Sequence, residues 1–248
     1  MSLGKAPLTS LLSGFGPGVG DLLLKAGQMT LSGAVTLPTH MLHNSVSANV
    51  EDSGEIVIAD LPKVLTFLKS LPKDALVTLW QLKGKPLRLI SGKTELTLPT
   101  TEYINSTKGL EKANAMVVEA ESAHWKSWDG RALPCYGRAK GQDFSQLKAV
   151  DKVLGSDVPI KAEFTASESV WTLHMGHKSS AQMSVGIDLD SCDGPSEPCV
   201  SHYSNWLPAA LQSVPAGPVE LYTDHDYVAI LRHVEKDYLL VVLNMRGE

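Results

Sequence analysis

The sequence predicts an α+β protein made of tandem β-α-β-β-β units, paired into two similar domains. Three observations carry this reading. Amphipathic helical stripes alternate with runs of period-two strands. The order strand, helix, three strands recurs along the 248 residues. A long polar stretch divides the chain near its middle. A repeat this short cannot bury both a helix and a sheet alone, so the units must pair.

The clearest unit lies between Glu55 and Leu98. Glu55–Ile58 reads as a strand. Leu61, Val64, Leu65, Leu68 and Leu71 then follow at helical spacing, with Asp60 as N-cap, Pro62 in the first turn and Pro72 as the stop. Ala75–Leu82, Pro86–Ile90 and Glu95–Leu98 are strands, separated by turns at Lys83-Gly84-Lys85 and Ser91-Gly92-Lys93. The order returns as strand Ala132–Arg138, helix Asp143–Leu154 with Phe144, Leu147, Val150 and Leu154 on one side, and strands Ile160–Thr165, Val170–His174 and Ala181–Ile187. It returns again as Val200–Tyr203, a helix over Ser204–Ser213, and strands Val219–Thr223, Tyr227–His233 and Tyr238–Leu243. The N-terminal unit is looser: a helix with Leu8, Leu11, Leu12 and Phe15, strands near Leu22–Lys25, Met29–Leu31 and His43–Val50, and a first strand that is missing or very short. Thr100–Arg131 joins the halves, with a possible strand at Ala115–Glu119. This predicts domains at 1–113 and 132–248, with a connector at 114–131.

The composition is that of a globular chain, 43% hydrophobic and 20% charged, too apolar for disorder and with no run long enough to span a membrane. No secretory leader is expected. Three cysteines, Cys135, Cys192 and Cys199, are too few for a disulfide scaffold, so a cytoplasmic location is expected. A net charge of −5 means that any grip on nucleic acid must come from a local basic surface.

Three segments resemble the DNA sliding clamps. Leu61–Thr100, reading LPKVLTFLKSLPKDALVTLWQLKGKPLRLISGKTELTLPT, is similar to the bacterial clamp pattern of helix, strands, Ser-Gly turn and a strand ending Leu-Pro-Thr. Tyr203–Leu231 is similar to the last helix-and-strand block of that family. Tyr238–Arg246 resembles its terminus, with Asn244 where the bacterial tail has proline. Bacterial clamps carry three domains and close as dimers, whereas two-domain clamps close as trimers, and this chain has the length for two. The resemblance therefore implies a homotrimeric DNA-clamp ring that encircles duplex DNA, tethers a DNA polymerase as its processivity factor, and is opened by a clamp-loader ATPase. It implies no catalytic residue, cofactor or metal.

In such a ring, helices line the hole. The candidate DNA-binding residues are Lys5, Lys63, Lys69, Lys73, Arg138, Lys140, Lys148 and Lys152, all on or beside helices. Clamps also dock partner peptides in an apolar pocket near the C-terminal tail. The matching residues are Val242, Leu243, Met245 and Arg246, joined by Leu37, His40 and Met41 and by the connector's Trp125 or Trp128. Val242 and Leu243 could equally finish a core strand, with Val242 facing inward. The glycine-rich Gly14–Gly20 lacks the Lys-Ser/Thr of a phosphate loop. The rival reading is a non-clamp tandem-domain ligand-binding protein or hydrolase, with a site built from His174, Asp188 and His202.

Overall fold

In the computed structural model the described residues are 1–16, 19–48, 50, 53–100, 117–119, 126–154, 158–176 and 181–245. The chain forms two units, Met1–Thr36 with Leu42–Leu110, and Leu37–Met41 with Glu111–Glu248.

The first unit runs β1 (Ser2–Gly4), α1 (Lys5–Ser13), β2 (Leu22–Ala26), β3 (Thr30–Thr36) and β4 (His40–Ser47), the last of these beginning in the 37–41 segment of the second unit. It continues as β5 (Gly54–Ile58), α2 (Leu61–Ser70), β6 (Leu76–Trp80), β7 (Leu87–Ser91) and β8 (Thr94–Leu98). The strands cross over. β1 pairs with β6 to give the sheet β1-β6-β7-β8, and β5 pairs with β2 in the run β5-β2-β3-β4. Each repeat therefore lends its first strand to the other's sheet.

Helices of nine and ten residues are too short to hold themselves in water. Burial holds them: Leu8, Leu11 and Leu12 of α1 and Val64 and Leu68 of α2 are wholly enclosed, each worth about 1.5–3 kcal/mol. The Asp60 carboxylate accepts the Lys63 N–H at 3.0 Å, as an N-cap should. At the other end of α2, the Lys5 ammonium donates to the Leu71 carbonyl and meets the negative pole of the helix. The buried Asn44 amide donates to the carbonyls of Ser10 and Leu11, completing the end of α1 from β4. Gly14 makes room for it, because a Cβ there would fall 2.3 Å from Asn44 Nδ2.

The second unit opens with β9 (Val117–Glu119), β10 (Lys126–Trp128) and β11 (Arg131–Ala132), which form a small sheet of their own. β12 (Cys135–Lys140) leads into a 3₁₀ helix (Gly141–Ala149), α3 (Val150–Leu154), β13 (Ile160–Thr165), β14 (Val170–Gly176) and β15 (Gln182–Asp188). β16 (Ser191–Asp193), β17 (Cys199–Tyr203), α4 (Leu207–Gln212), β18 (Pro218–Thr223), β19 (Ala229–His233) and β20 (Tyr238–Val242) complete it. The exchange recurs: β12 joins β18, β19 and β20, while β17 joins β13, β14 and β15.

The first strand, expected to be missing or very short, is a three-residue strand. Three expectations are corrected. The strand placed at Ala132–Arg138 is two strands, because Pro134 has no N–H for a ladder and the chain turns there from β11 to β12. The helix placed at Asp143–Leu154 is mostly 3₁₀. Its buried residues Gly141, Phe144, Leu147 and Val150 recur every third position, which is the 3₁₀ period. The strand near Met29–Leu31 extends to Thr36, through a Gly33 whose Cβ would fall 2.8 Å from Phe15. Most of the 100–131 connector, including the Asn105-Ser106-Thr107 sequon, and part of the Gly14–Gly20 loop lie outside the described residues.

Gly141 starts the 3₁₀ turn against the 215–217 loop, with its N–H on Gly217 O at 2.8 Å. A Cβ there would fall 1.9 Å from the Pro215 carbonyl oxygen, a backbone atom that cannot swing aside. Gly141→Ala is expected to destabilise the protein by about 2 kcal/mol or more in urea unfolding. Gly20→Ala, with nothing within 4 Å of the added carbon, should stay within about 0.5 kcal/mol.

His40 is buried, with Nδ1 3.0 Å from Thr39 Oγ1, and desolvation lowers its pKa below the ordinary value. The folded state thus favours neutral imidazole. Stability that is full above about pH 6.5 falls as the pH drops from there toward the lowered folded pKa. His40→Gln is expected to shrink the loss of unfolding midpoint between pH 7.5 and 5.5, measured against the parent chain.

Candidate functional site

Alternation along four neighbouring strands builds an apolar row on one sheet face of the second unit. Tyr136, Tyr222, Ile230 and Val241 stand opposite one another in register across β12, β18, β19 and β20. The tyrosine rings lie 5.2 Å apart. Trp128, Leu133 and Val228 complete the cluster, and Met41, Tyr227, Leu239 and Leu243 pack on it half-buried.

The β10–β11 hairpin brings Trp128 there. Its turn is Asp129-Gly130, both with positive φ (51° and 76°), as a two-residue hairpin of matching twist requires. Arg131 fixes the hairpin to the sheet. Its guanidinium lies 4.4 Å from the Tyr227 ring centroid and 2.6 Å from the Asp224 carboxylate, and it donates to the His225 carbonyl. Tyr227 Oη donates to Trp128 O at 3.0 Å.

The end of the chain runs along the same region. The Leu243 N–H donates to Thr39 O at 2.9 Å, and the Leu37 N–H to His40 O at 2.8 Å. The Asn244 amide oxygen accepts the His202 N–H, and the Met245 N–H donates to His202 O. The structure therefore gathers Met41, Leu243 and Trp128 onto one cluster. Val242 points the other way: it is 3% exposed and completes the core. Met245 is 53% exposed, Leu37 is half-buried and His40 is enclosed. Trp125 and Arg246 lie outside the described residues. Tyr136, Tyr222, Tyr227 and Leu239 were missed by sequence reasoning, although Asp129-Gly130 was a readable hairpin signal. A shelf of methionine, leucine and aromatic side chains accepts apolar side chains without fixing one shape.

The basic residues separate into two groups. Lys69, Lys73 and Lys148 are exposed and carry no ion pair among the described residues; Lys69 belongs to α2, and Lys148 to the 3₁₀ helix. Lys63, also exposed, reaches back 2.6 Å to Asp60. Lys152 lies in α3, with its side chain outside the described part. The others have different surroundings. Lys5 is engaged at the end of α2. On β12, Cys135, Gly137 and Ala139 are buried, and a Cβ on Gly137 would meet Leu189 and Phe164 of the core. Arg138 and Lys140 take the alternate positions and share the sheet face of Tyr136, not the helix side where they were expected. Lys140 pairs with Asp190 at 3.1 Å.

The residues of the rival reading do not converge. His174 Nδ1 sits 2.9 Å from Ser184 Oγ, and His202 Nδ1 sits 3.6 Å from Asp226. Both histidines flank Lys161 of β13 from opposite sides. Asp188 pairs with Val170, four positions along β14 from His174, or about 13 Å at strand rise.

By sequence the chain matches no protein-family model and no curated protein. Solved structures are similar over its whole length. A putative DNA polymerase III beta subunit from Eubacterium rectale matches with TM-score 0.73 at 12% identity, covering 100% of this chain and 65% of that one. This chain thus spans just under two thirds of the bacterial subunit. PCNA from Thermococcus kodakaraensis matches with TM-score 0.68 at 13% identity, covering 98% and 99%. A. fulgidus PCNA bound to the C-terminal region of FEN-1 matches with TM-score 0.64 at 12% identity, covering 100% and 98%. With four exchanged β-α-β-β-β repeats matched from end to end, the chain has the fold of the DNA sliding clamps.

Proposed function

We propose that this protein is a sliding clamp: a homotrimeric ring that encircles duplex DNA, holds a DNA polymerase to its template, and performs no chemical step of its own. The observation that carries this reading is the two-way match to T. kodakaraensis PCNA, 98% of one chain against 99% of the other. Two units, rather than the three domains of a bacterial clamp, then call for three copies to complete six. The sheets have open ends for head-to-tail joining. β8 closes one side of its sheet in the first unit and β15 one side of its sheet in the second, and neither has a partner on its outer edge among the described residues.

DNA contact falls to Lys63, Lys69 and Lys73 of the first unit and to Lys148 and Lys152 of the second. Exposed ammonium groups on or just beyond helices attract phosphate without reading bases, and the chain's net charge of −5 keeps that attraction weak enough for sliding. Partner docking falls to the shelf of Met41, Trp128, Tyr227, Leu239 and Leu243. The FEN-1 segment bound to A. fulgidus PCNA supports a peptide-docking role. The polymerase, the loader ATPase that opens the ring and a cytoplasmic location complete the proposal.

Light scattering should return three times the 26.7 kDa chain mass. Lys69→Glu with Lys148→Glu should keep that mass while weakening binding to a random-sequence duplex, and the salt slope should fall by about 1 for each phosphate no longer neutralised. A monomeric parent chain overturns the ring, and unchanged DNA affinity removes these two lysines from the DNA path. Met41→Ala with Leu243→Ala should weaken capture of a labelled C-terminal peptide of the cognate polymerase by about tenfold or more. The trimer should be unaffected, and undiminished capture would move the docking site elsewhere.

A further inference from the structure

Cys135 and Cys199 are the first residues of β12 and β17, the two exchanged first strands of the second unit. The strands belong to different sheets. β12 lies beside β18 with Cys135 opposite Thr223, and β17 lies beside β13 with Cys199 opposite Phe164. Both residues are buried, at 0% and 6% exposure, and their Sγ atoms are in contact at 2.6 Å. The third cysteine is elsewhere: Cys192 Sγ donates to Ala166 O and lies 3.3 Å from Ser169 Oγ. All three are free thiols in this structure.

We propose that Cys135 and Cys199 are a dithiol/disulfide modification site whose oxidised form staples the sheet of β12 to the sheet of β17. The oxidant is a small-molecule disulfide of the glutathione class. One cysteine thiolate attacks it, forming a mixed disulfide and releasing one glutathione thiolate. The second cysteine thiolate attacks the protein sulfur of that mixed disulfide, the protein S–S bond forms, and the second glutathione leaves. In sum, two protein thiols are oxidised, one oxidised glutathione is reduced to two thiols, and the two protons go to them. Burial, the largest cause, pushes both thiols above their ordinary pKa. Thiolate is therefore scarce in the closed unit, and the bond forms as the unit folds or opens. The closed loop spans Cys135 to Cys199 and constrains the unfolded chain across one whole repeat. This site stands apart from the clamp reading and survives its failure.

The test uses the full chain, reduced and unfolded, then refolded with oxidised glutathione in excess. The native fraction is isolated, quenched in acid, denatured and treated with N-ethylmaleimide. One adduct per chain is expected, at Cys192, together with a Cys135–Cys199 linked peptide pair. The thermal midpoint should stand roughly 5 °C or more above that of the reduced protein. Cys192→Ala should form the same bond and take no adduct. Three adducts, a lasting glutathione adduct at Cys135 or Cys199, or a bond to Cys192 would each overturn the proposal.

Discussion

β1 pairs with β6 and β5 with β2, and the same exchange joins β12 to β18 and β17 to β13. This interlock is the constraint on which each unit rests. A single repeat of the first unit has one helix of at most ten residues and four strands, too little to enclose Leu8, Leu11 and Leu12 or Val64 and Leu68. Exchanging first strands makes each sheet the joint product of two repeats, so neither half of a unit can form its sheets alone. The helices keep one face in the core and the other in water, and that outer face carries Lys69 in the first unit and Lys148 in the second.

Strand parity then assigns the surfaces. On β12 one set of alternating side chains is small because Phe164 and Leu189 press on it, and the other carries Tyr136, Arg138 and Lys140 outward. The outward tyrosine continues the row Tyr222, Ile230 and Val241, and the Asp129-Gly130 hairpin folds Trp128 over that row. Two different surfaces follow from this geometry: exposed ammonium groups on helical segments, and an apolar shelf on a sheet. The same parity separates Val242, which completes the core, from its neighbour Leu243 on the shelf.

Much of the fold was legible because its elements obey local rules. α2 has its stripe, its Asp60 cap and its proline stop, and β13 falls where the alternation of Ile160–Thr165 put it. The failures also have physical causes. Gly33 interrupts the alternation of β3 because Phe15 occupies the space a side chain would need. The third repeat carries apolar residues at a spacing of three, which reads as a helix until the tight Gly141–Pro215 approach shows which helix it is. Of the proposed docking residues, Leu243 was found through the tail, and Met41 and Trp128 through the loop and connector that the resemblance adds. Tyr136, Tyr222, Tyr227 and Leu239 were not, since each looks like an ordinary strand or turn residue until strands far apart in sequence are set side by side.

By itself, the sequence determined the repeat order, the polar stretch between the halves, the absence of strong net basicity and the lysines on two of the helical segments, because each depends only on residue type and near-neighbour spacing. Tertiary structure decided the rest. Which strands exchange partners, which face of β12 holds Arg138, that Leu37–Met41 joins the second unit, and that Cys135 meets Cys199 are all long-range pairings. No local pattern encodes them, because they are settled by which apolar surfaces can be buried together once every helix and strand has formed.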